Sequence, residues 1–460
     1  PVRKAIRILD LLNLGTVSIK GGNYTRWNEL GNPREWRATI RMADGGNVDD
    51  VLIRPPRTPE SQAILRLDRM GDGAFRRALV EVSKPVRLRV LAVGEYAADD
   101  LGFADGAWIE DADECSRAWE MTLVNTAPAG GAQKNRAYDN LILLEPGNYL
   151  ACYGTDDSHA YDEWNAPPPY DPESWGLTLI PEAPLAPGTV KVTLDPAEKN
   201  VIAQLAPVGD SEYREQEFYL SHAAQVCIRA YGEWDAKQGR YYDFGWIEDA
   251  YTLRPVWTME TNPGHYASGE ARNRMVEDKL ALEPGLYRVA YVTDDGHAYG
   301  NWSSHPPFEP AAWGIRLCGL GEGFSMQWVS ESAPQKDSPA LIRLAPLESG
   351  VHKRIRFRVD GPTRVKLIAM GEGDDGDMYD YGWLVDEDSG ETIWKMKYED
   401  TQPAGGARKN RRVEHELTLQ PGTYSLNATT DGSHAFGDWN DDVPRDFHLW
   451  GITLVEVASR

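Results

Sequence analysis

The chain has 460 residues, of which 71 are acidic and 48 basic, and its formal net charge is −23. A protein this acidic repels phosphate backbones, and no basic stripe with interleaved aromatic residues occurs, which excludes nucleic acid as an expected partner. A hydrophobic fraction of 41%, with 16 Trp, indicates a folded chain, and the length corresponds to about three domains. No stretch approaches the roughly 18 apolar residues of a membrane-spanning helix, so no membrane insertion is predicted.

The first 60 residues differ from the rest of the chain. Tyr24, Trp27 and Asn28, followed by Trp36, are similar to a segment that recurs later, but the spacing to the last Trp differs by two residues. We predict that residues 1–60 form an N-terminal extension packed on the first repeat, or a degenerate partial repeat. No signal-peptide pattern precedes the first repeat, and because the chain begins at Pro1 we expect it to be processed or incomplete.

Three copies of one unit follow. Trp108, Trp246 and Trp383 are each followed by a second Trp 11 residues on, an Asn-Arg pair 27 on and a His 51 on, and a closing Trp lies 16 residues after each His. The period of 138 and then 137 residues is that of a whole domain rather than of a short solenoid repeat. Linkers rich in Pro and Ser separate the copies. We place repeat 1 at 61–183, repeat 2 at 184–321 and repeat 3 at 322–460.

Each repeat has the pattern of short strands separated by turns. Apolar residues alternate, as at Val365, Leu367 and Ala369, and Gly, Pro and Asp separate the runs. The predicted fold class is therefore all-β, with three tandem β-sandwich or jelly-roll domains and an N-terminal extension. The strands predicted for repeat 3 are 341–344, 355–359, 365–370, 382–385, 392–396, 414–419, 423–428 and 451–455.

A Leu-x-Pro-Gly-x-Tyr corner occurs in every repeat, at Leu144–Tyr149, Leu282–Tyr287 and Leu419–Tyr424. Pro fixes one turn dihedral and Gly supplies the positive one. This corner, preceded by a Gly-Trp strand and an Asp-rich loop, resembles bacterial pre-peptidase C-terminal domains. The resemblance implies a β-sandwich module of a secreted bacterial protein, with an accessory or binding role and sometimes with calcium. It assigns no individual residue, and the histidine segment described next has no counterpart in it.

The most distinctive motif spans residues 155–165, 293–303 and 430–440. Neighbouring Asp, Ser and His residues suggest a hydrolase, but Ser158 is matched by Gly296 in repeat 2, and a catalytic nucleophile cannot be dispensable. We therefore predict an ordered crossover loop in which Asp caps backbone donors, His hydrogen-bonds across the turn and Trp covers the core. A hydrolase that uses these histidines is the third alternative. The candidate residues are Asp156, His159, Trp164, Asp294, His297, Trp302, Asp431, His434 and Trp439.

A second motif places an Asp three residues before each repeated Trp. Hard cations such as calcium bind carboxylate oxygens, and no EF-hand or zinc-ligand spacing is present. We predict calcium sites, the best of them in repeat 3, where three further Asp residues precede the motif; a solvated turn is the alternative interpretation. The candidate metal ligands are Asp374, Asp375, Asp377, Asp380, Asp243 and Asp105.

Two further expectations concern single residue types. The Arg of each Asn-Arg pair, as at Arg136 and Arg411, is expected to pair with a carboxylate of the Asp-rich strand. Cysteines occupy different positions in the repeats, whereas a disulfide belonging to the unit would recur in every copy, so we expect mostly buried, unpaired thiols. The four cysteines are Cys115, Cys152, Cys227 and Cys318.

Together these features predict a non-catalytic bacterial protein, secreted and located outside the cell or on its surface. The predicted role is structural or adhesive, as a calcium-stabilised filament or surface-layer subunit whose partners are further copies or other surface proteins. The alternative is a carbohydrate-binding accessory module of a secreted enzyme, with a glycan as ligand. That alternative requires a cluster of exposed aromatic rings on one face.

Overall fold

A computed structural model describes residues 62–97, 101–321, 323–331, 341–444 and 446–457. It also describes two paired strands, β1 (Val17–Ile19) and β2 (Ala38–Ile40), within the predicted N-terminal extension. The segment from Tyr24 to Trp36 lies outside the described residues. The predicted all-β class is confirmed, because the described elements are strands and short 3₁₀ helices. Within the described ranges no helix is long and apolar enough to cross a membrane.

The strands follow the repeats in chain order. Repeat 1 contains β3 (Leu65–Asp68), β4 (Phe75–Val82), β5 (Val86–Tyr96), β6 (Phe103–Asp111), β7 (Ser116–Glu120), β8 (Ala127–Pro128), β9 (Asn135–Leu144), β10 (Gly147–Gly154) and β11 (Gly176–Pro181). After the linker strand β12 (Val190–Leu194), repeat 2 contains β13 (Val201–Leu205), β14 (Tyr213–Leu220), β15 (Ala224–Asp235), β16 (Arg240–Tyr241), β17 (Phe244–Asp249), β18 (Arg254–Thr258), β19 (His265–Tyr266), β20 (Asn273–Leu282), β21 (Gly285–Val292) and β22 (Gly314–Gly319).

Repeat 3 follows the second linker strand, β23 (Val329–Ser330). It contains β24 (Leu341–Leu344), β25 (His352–Val359), β26 (Thr363–Asp374), β27 (Asp377–Met378), β28 (Tyr381–Asp386), β29 (Thr392–Lys395), β30 (Gln402–Pro403), β31 (Asn410–Leu419), β32 (Gly422–Thr429) and β33 (Gly451–Glu456). The 3₁₀ helices are Pro172–Ser174, Met259–Thr261, Pro310–Ala312, Met326–Trp328, Tyr398–Asp400 and Phe447–Leu449. Each strand predicted for repeat 3 overlaps an observed one.

In repeat 3, two antiparallel sheets enclose the core. One sheet has the order β24-β33-β26-β31-β30 and the other β25-β32-β28-β29. Leu367 and Ile452 of the first sheet pack with Leu384 and Leu426 of the second, and all four are at most 0% exposed. Burying such a side chain contributes about 1.5–3 kcal/mol. Repeat 2 has the same arrangement, whereas in repeat 1 β5 also pairs with β6, which joins its strands into one sheet.

The linkers extend the sheets of the repeats that precede them. β12 pairs antiparallel with β4 of repeat 1, and β23 pairs with β14 of repeat 2. An unpaired strand edge is a template for association with another chain, and these short strands cover it. By their pairing, the residues just after the predicted boundaries at 184 and 322 therefore belong with the sheet of the preceding repeat.

Repeats 1 and 2 are joined by a disulfide and by an aromatic contact. Cys115, at the tip of the hairpin between β6 and β7, is bonded to Cys227 in β15. The expectation of unpaired thiols is wrong for this pair, because the disulfide joins two repeats and has no reason to recur within each. Cys152 and Cys318 are free. Beside the disulfide, the rings of Trp108 and Phe308 lie 4.9 Å apart.

Ion pairs across the boundary surround this aromatic contact. They join Arg117 to Glu277 at 2.7 Å, Arg77 to Glu198 at 2.5 Å, and Arg229 to Glu110. Glu110 and Glu277 are almost fully buried, so removing their Arg partners would leave a buried charge without compensation. These ion pairs therefore help to fix how the two repeats are positioned.

Repeats 2 and 3 meet through the same surfaces. The ring of Trp246 lies 4.7 Å from His448, and Tyr213 contacts Phe436 at 5.5 Å. Leu253, seven residues after Trp246 as Cys115 is after Trp108, is buried against Ile368 of repeat 3. Thus at both boundaries the repeated Trp and the tip of the following hairpin contact the next repeat.

The boundary between repeats 2 and 3 also contains a buried carboxylate. Glu248 is 0% exposed, and it pairs with Arg288 at 2.6 Å and with His448 of repeat 3 at 3.5 Å. Burial alone would raise the pKa of Glu248, but His448, Arg288 and Arg343 outweigh that effect and lower the pKa to about 2. The ionised carboxylate is therefore the form that this boundary requires.

We expect replacement of Cys115 and Cys227 by Ser to lower the stability of the first two repeats by about 2–5 kcal/mol, because the unfolded chain regains the entropy of an open loop. Thermal melting without reductant measures the effect. The control is Cys152→Ser together with Cys318→Ser, which removes free thiols and should change melting much less. Equal melting of the Cys115/Cys227 variant and the parent chain would contradict the prediction.

Candidate functional site

Each repeat brings three carboxylates together at one end of its sandwich. A Glu at or near the end of a long strand, the Asp three residues before the repeated Trp, and the Asp that follows the strand after the Pro-Gly corner have ligand oxygens within 4.8 Å of one another. The positions recur because the same three chain segments meet there in every copy. The clusters are Glu95, Asp105 and Asp156; Glu233, Asp243 and Asp294; and Glu372, Asp380 and Asp431.

The central Asp of each cluster joins two distant segments. In repeat 1, Asp105 is 0% exposed, and its Oδ1 accepts from the backbone N–H of Asp156 at 2.9 Å. Its Oδ2 accepts from Nε1 of the closing Trp175 at 2.8 Å. The same pair of bonds forms at Asp243 and at Asp380, with distances of 2.7–2.9 Å. One carboxylate therefore holds both the crossover loop and the strand that closes the repeat.

The Glu of each cluster has one satisfied oxygen and one orphaned oxygen. Oε1 of Glu95 pairs with Lys134 at 2.8 Å, and Oε1 of Glu233 pairs with Arg272 at 2.7 Å. Glu372 forms the corresponding pair with Lys409 at 2.9 Å. In all three repeats, Oε2 is buried and has no hydrogen-bond partner among the described residues. Such a repeated orphan is costly unless a ligand or a proton satisfies it.

Burial dominates the electrostatics of the clusters. It raises the pKa of Asp105 and Asp243 well above the usual range, and the neighbouring Asp of each cluster adds to the effect. Burial also raises the pKa of Glu95 to about 7, against the opposing charge of Lys134, and that of Asp380 to about 7. Without a cation, the clusters are therefore partly protonated at neutral pH, since three adjacent carboxylates repel one another.

The conserved geometry of the His segment is a buried His–Asn pair. Nε2 of His159 lies 2.7 Å from Oδ1 of Asn135, and the other two repeats form the same contact at 2.7 and 2.6 Å. Asn135 donates its own Nδ2 hydrogens to the carbonyls of Gly130 and Pro167, so the His nitrogen is the donor in this bond. Burial lowers the pKa of His159 and His297 to about 4, which keeps the rings neutral at pH 7.

Two Trp rings enclose each His. His159 contacts Trp164 at 5.1 Å and Trp175 at 5.6 Å, and these two Trp rings meet edge to face at 4.9 Å. The corresponding rings of the other repeats pack in the same way. The expected ordered crossover loop is confirmed: Oδ1 of Asp156 caps the N–H of Ser158, and His159, at 0% exposure, hydrogen-bonds across the turn.

The structure separates the predicted metal ligands into two groups. Asp105, Asp243 and Asp380 lie in the clusters, together with Asp156, Asp294 and Asp431 of the predicted loop set. Asp374 instead pairs with Arg408 at 2.5 Å, and Asp375 and Asp377 are exposed in the hairpin between β26 and β27. The sequence interpretation missed Glu95, Glu233 and Glu372. Each follows a Gly at the repeat spacing, a signal that was present in the chain.

The predicted role of the repeated Arg is wrong. Arg136 donates to the side chain and carbonyl of Thr126 and to the carbonyl of Leu123, and Arg411 makes the same contacts with Thr401. Neither forms the expected pair with the Asp-rich strand. The cation that reaches the clusters lies just before the Asn-Arg pair, at Lys134, Arg272 or Lys409. The charged position was therefore displaced by one or two residues.

The arrangement is suited to holding a metal ion. Calcium binds oxygens at about 2.3–2.6 Å, so ligands on opposite sides of the ion lie roughly 5 Å apart, in agreement with the clusters. The central Asp has two lone pairs on each oxygen, and hydrogen bonding uses only some of them. The orphaned Glu Oε2 then has a reason to be buried.

Comparisons with known proteins add little. No protein-family model and no curated protein matches the chain. One solved structure, the X-ray structure of the entire lipid-containing bacteriophage PM2, contains a chain with 8% identity and a TM-score of 0.14. That match covers 82% of this chain and 98% of the phage chain. A similarity this weak supports no conclusion, and the resemblance to pre-peptidase C-terminal domains stays a prediction.

We expect Asn273→Ala to destabilise repeat 2. The change removes the acceptor for His297 and the donor to the carbonyls of Ser268 and His305, and each buried group left unpaired costs about 1–3 kcal/mol. Urea denaturation followed by Trp fluorescence measures the loss. The control is Asn301→Ala, which removes an exposed Asn bonded to Asp210 and should shift the midpoint far less. Similar midpoints for the two variants would show that the network is dispensable.

Proposed function

We propose that this chain is a non-catalytic structural or adhesive protein of the bacterial cell exterior, in which tandem β-sandwich repeats are stacked in a fixed order. The observation that carries the proposal is the recurrence of one boundary. At both junctions, the repeated Trp and the tip of the next hairpin of one repeat pack on the following repeat. Boundaries of this kind transmit force and fix length, which are mechanical properties rather than catalytic ones.

The chemistry of the repeated His segment supports a structural role. A general base must reach its substrate, yet the three histidines are 0% exposed and hold their Nε2 against an Asn. Ser158 contributes its backbone N–H to the loop. The segment that most resembles a catalytic motif is thus explained by the internal hydrogen bonds of the crossover loop.

The disulfide supports an extracellular location. Cys115 and Cys227 are bonded across two repeats, and structural disulfides form and persist in oxidising compartments. A bond between repeats also resists separation of the domains under load. Location outside the cell and mechanical function are therefore supported by the same bond.

The carbohydrate-binding alternative has less support. It requires repeated aromatic rings that are exposed on one face, where they can stack on sugars. The closing residues Trp175, Trp313 and Trp450 are 0% exposed, and Trp164, Trp302 and Trp439 are half-buried against the histidines. The repeated Trp residues thus serve the interior of each sandwich, as framework aromatics usually do.

We further propose that the three carboxylate clusters bind calcium and stiffen the ends of the sandwiches. Glu95, Glu233 and Glu372 supply the orphaned oxygens, and the two Asp residues of each cluster supply the others. Bound calcium would neutralise carboxylates that otherwise repel one another, and it would tie the crossover loop to two strands. This assignment replaces the acidic run at Asp374–Asp377 as the preferred site in repeat 3.

Small-angle X-ray scattering of the monomeric chain tests the stacked arrangement. We expect a radius of gyration clearly above the about 23 Å of a single compact domain of this length, with one persistent distance distribution. Trp246→Ala together with Leu253→Ala should loosen the boundary between repeats 2 and 3 and broaden that distribution. A compact wild-type chain, or one as flexible as the variant, would refute the proposed function.

Thermal melting with calcium and with chelator tests the cation sites. We expect calcium to raise the melting temperature, since a ligand that binds only the folded state stabilises it. The combined variant Glu95→Gln, Glu233→Gln and Glu372→Gln should lose this response. The matched control, Asp374→Asn with Asp375→Asn and Asp377→Asn, should keep it. A response lost in the control and retained in the Glu variant would place calcium in the β26–β27 hairpin instead.

A further inference from the structure

The stacking surface that repeats 1 and 2 present to the next repeat recurs on repeat 3. In repeat 1 this outward surface carries Phe75 on β4 and Trp108 on β6, with ring centroids 6.0 Å apart. In repeat 2 it carries Tyr213 and Trp246 at 6.1 Å. In repeat 3, His352 on β25 and Trp383 on β28 form the corresponding pair at 5.5 Å. The surface is therefore built three times.

Only the first two copies of this surface are covered by a described residue of another repeat. Trp108 is 7% exposed beneath Phe308, and Trp246 is 3% exposed beneath Phe447 and His448. Trp383 is half-buried, and its ring contacts come from Tyr381 and His352 of its own repeat. The surface on repeat 3 thus has the aromatic pair of the internal boundaries and no described partner.

The opposite side of each boundary is the crossover segment of the next repeat. In repeats 2 and 3 this segment supplies Phe308 to Trp108 and Phe436 to Tyr213. In repeat 1 the same two positions are Tyr170 and Tyr161. Tyr170 is 67% exposed, so repeat 1 presents an aromatic ring where the internal boundaries use one.

Charge complements these two surfaces. The outward surface of repeat 3 carries the exposed cations Arg354 and Arg356 on β25 and Lys395 on β29, whereas the corresponding position to Arg354 in repeat 2 is Glu215. The crossover segment of repeat 1 carries exposed Asp162, Glu163 and Asp171. Both internal boundaries pair opposite charges across the junction, as Arg117 with Glu277 and Glu215 with Arg343 do. A basic aromatic surface and an acidic one therefore lie on different repeats of the same chain.

We propose that the partner of the repeat 3 surface is a second copy of this chain, which docks through the crossover segment of its repeat 1. The contact continues the boundary that joins repeats 1 to 2 and 2 to 3, and this proposal rests on the stacked arrangement proposed above. Because the two surfaces differ, the association is head to tail and does not close on itself, so further copies add in line.

The intermolecular contact is weaker than the internal boundaries. Cys115 and Leu253 extend side chains from the hairpin tip into the next repeat, but the corresponding residue of repeat 3 is Gly390, which has no side chain to contribute. The contact therefore depends on Trp383 and on charge. We expect association that is reversible, concentration-dependent and weakened by salt.

Sedimentation velocity of the whole chain, over a concentration series and at two salt concentrations, tests the proposal with two charge-reversed variants. The first carries Arg356→Glu and Lys395→Glu in repeat 3, and the second carries Glu163→Lys and Asp171→Lys in repeat 1. Each variant alone should remain monomeric, because its two surfaces then have the same sign. Mixed together, the variants present opposite charges again and should regain assemblies larger than a dimer.

Three outcomes would overturn the proposal: a monomeric wild-type chain at all concentrations, variants that associate like the wild type, or a mixture that stays monomeric. Trp383→Ala should also abolish association, with Tyr379→Ala as the exposed aromatic control. Circular dichroism establishes that each variant is folded. Scattering from the monomeric variants still reports the stacking of repeats within one chain, so failure of this contact and failure of the proposed function are distinguished.

Discussion

Each repeat depends on one buried carboxylate that has two hydrogen-bond donors. Asp105, Asp243 and Asp380 each accept a backbone N–H from the crossover loop and an indole N–H from the closing Trp. Hydrogen bonds to a buried acceptor are strong, because no water competes for them. The loop and the last strand are far apart in sequence, and this residue brings them to one place. The His–Asn pair and the Trp rings are then assembled around it.

The same carboxylate creates the tension that gives each cluster its chemical interest. Placing it beside two further acidic side chains raises carboxyl pKa values, and it leaves one Glu oxygen without a partner in every copy. A purely structural network would satisfy that oxygen with a neutral side chain. Retention of the acid in three independent copies is the strongest indication in the molecule that a cation completes the network.

The boundaries between repeats obey a different logic. Within a repeat, side chains are nearly identical at the key positions, whereas at the boundaries the contacts change: a disulfide in one, a buried Leu in the other, and opposite charge arrangements in the two. What persists is the geometry, with one surface facing the next crossover segment. Variation of the charges around a constant aromatic contact lets each boundary select its own neighbour, which allows repeats to stack in one order.

The sequence by itself determined the number of repeats, the all-β class and the positions of the repeated strands, because strand alternation and turn residues are local properties of the chain. It also determined that Asp105, Asp156 and His159 belong to a special segment. It could not show that Glu95 joins them, that Lys134 rather than Arg136 supplies the cation, or that Cys115 meets Cys227. Those partners are 10 to 112 residues apart, and only the packing of sheets and repeats decides which distant side chains share one buried space.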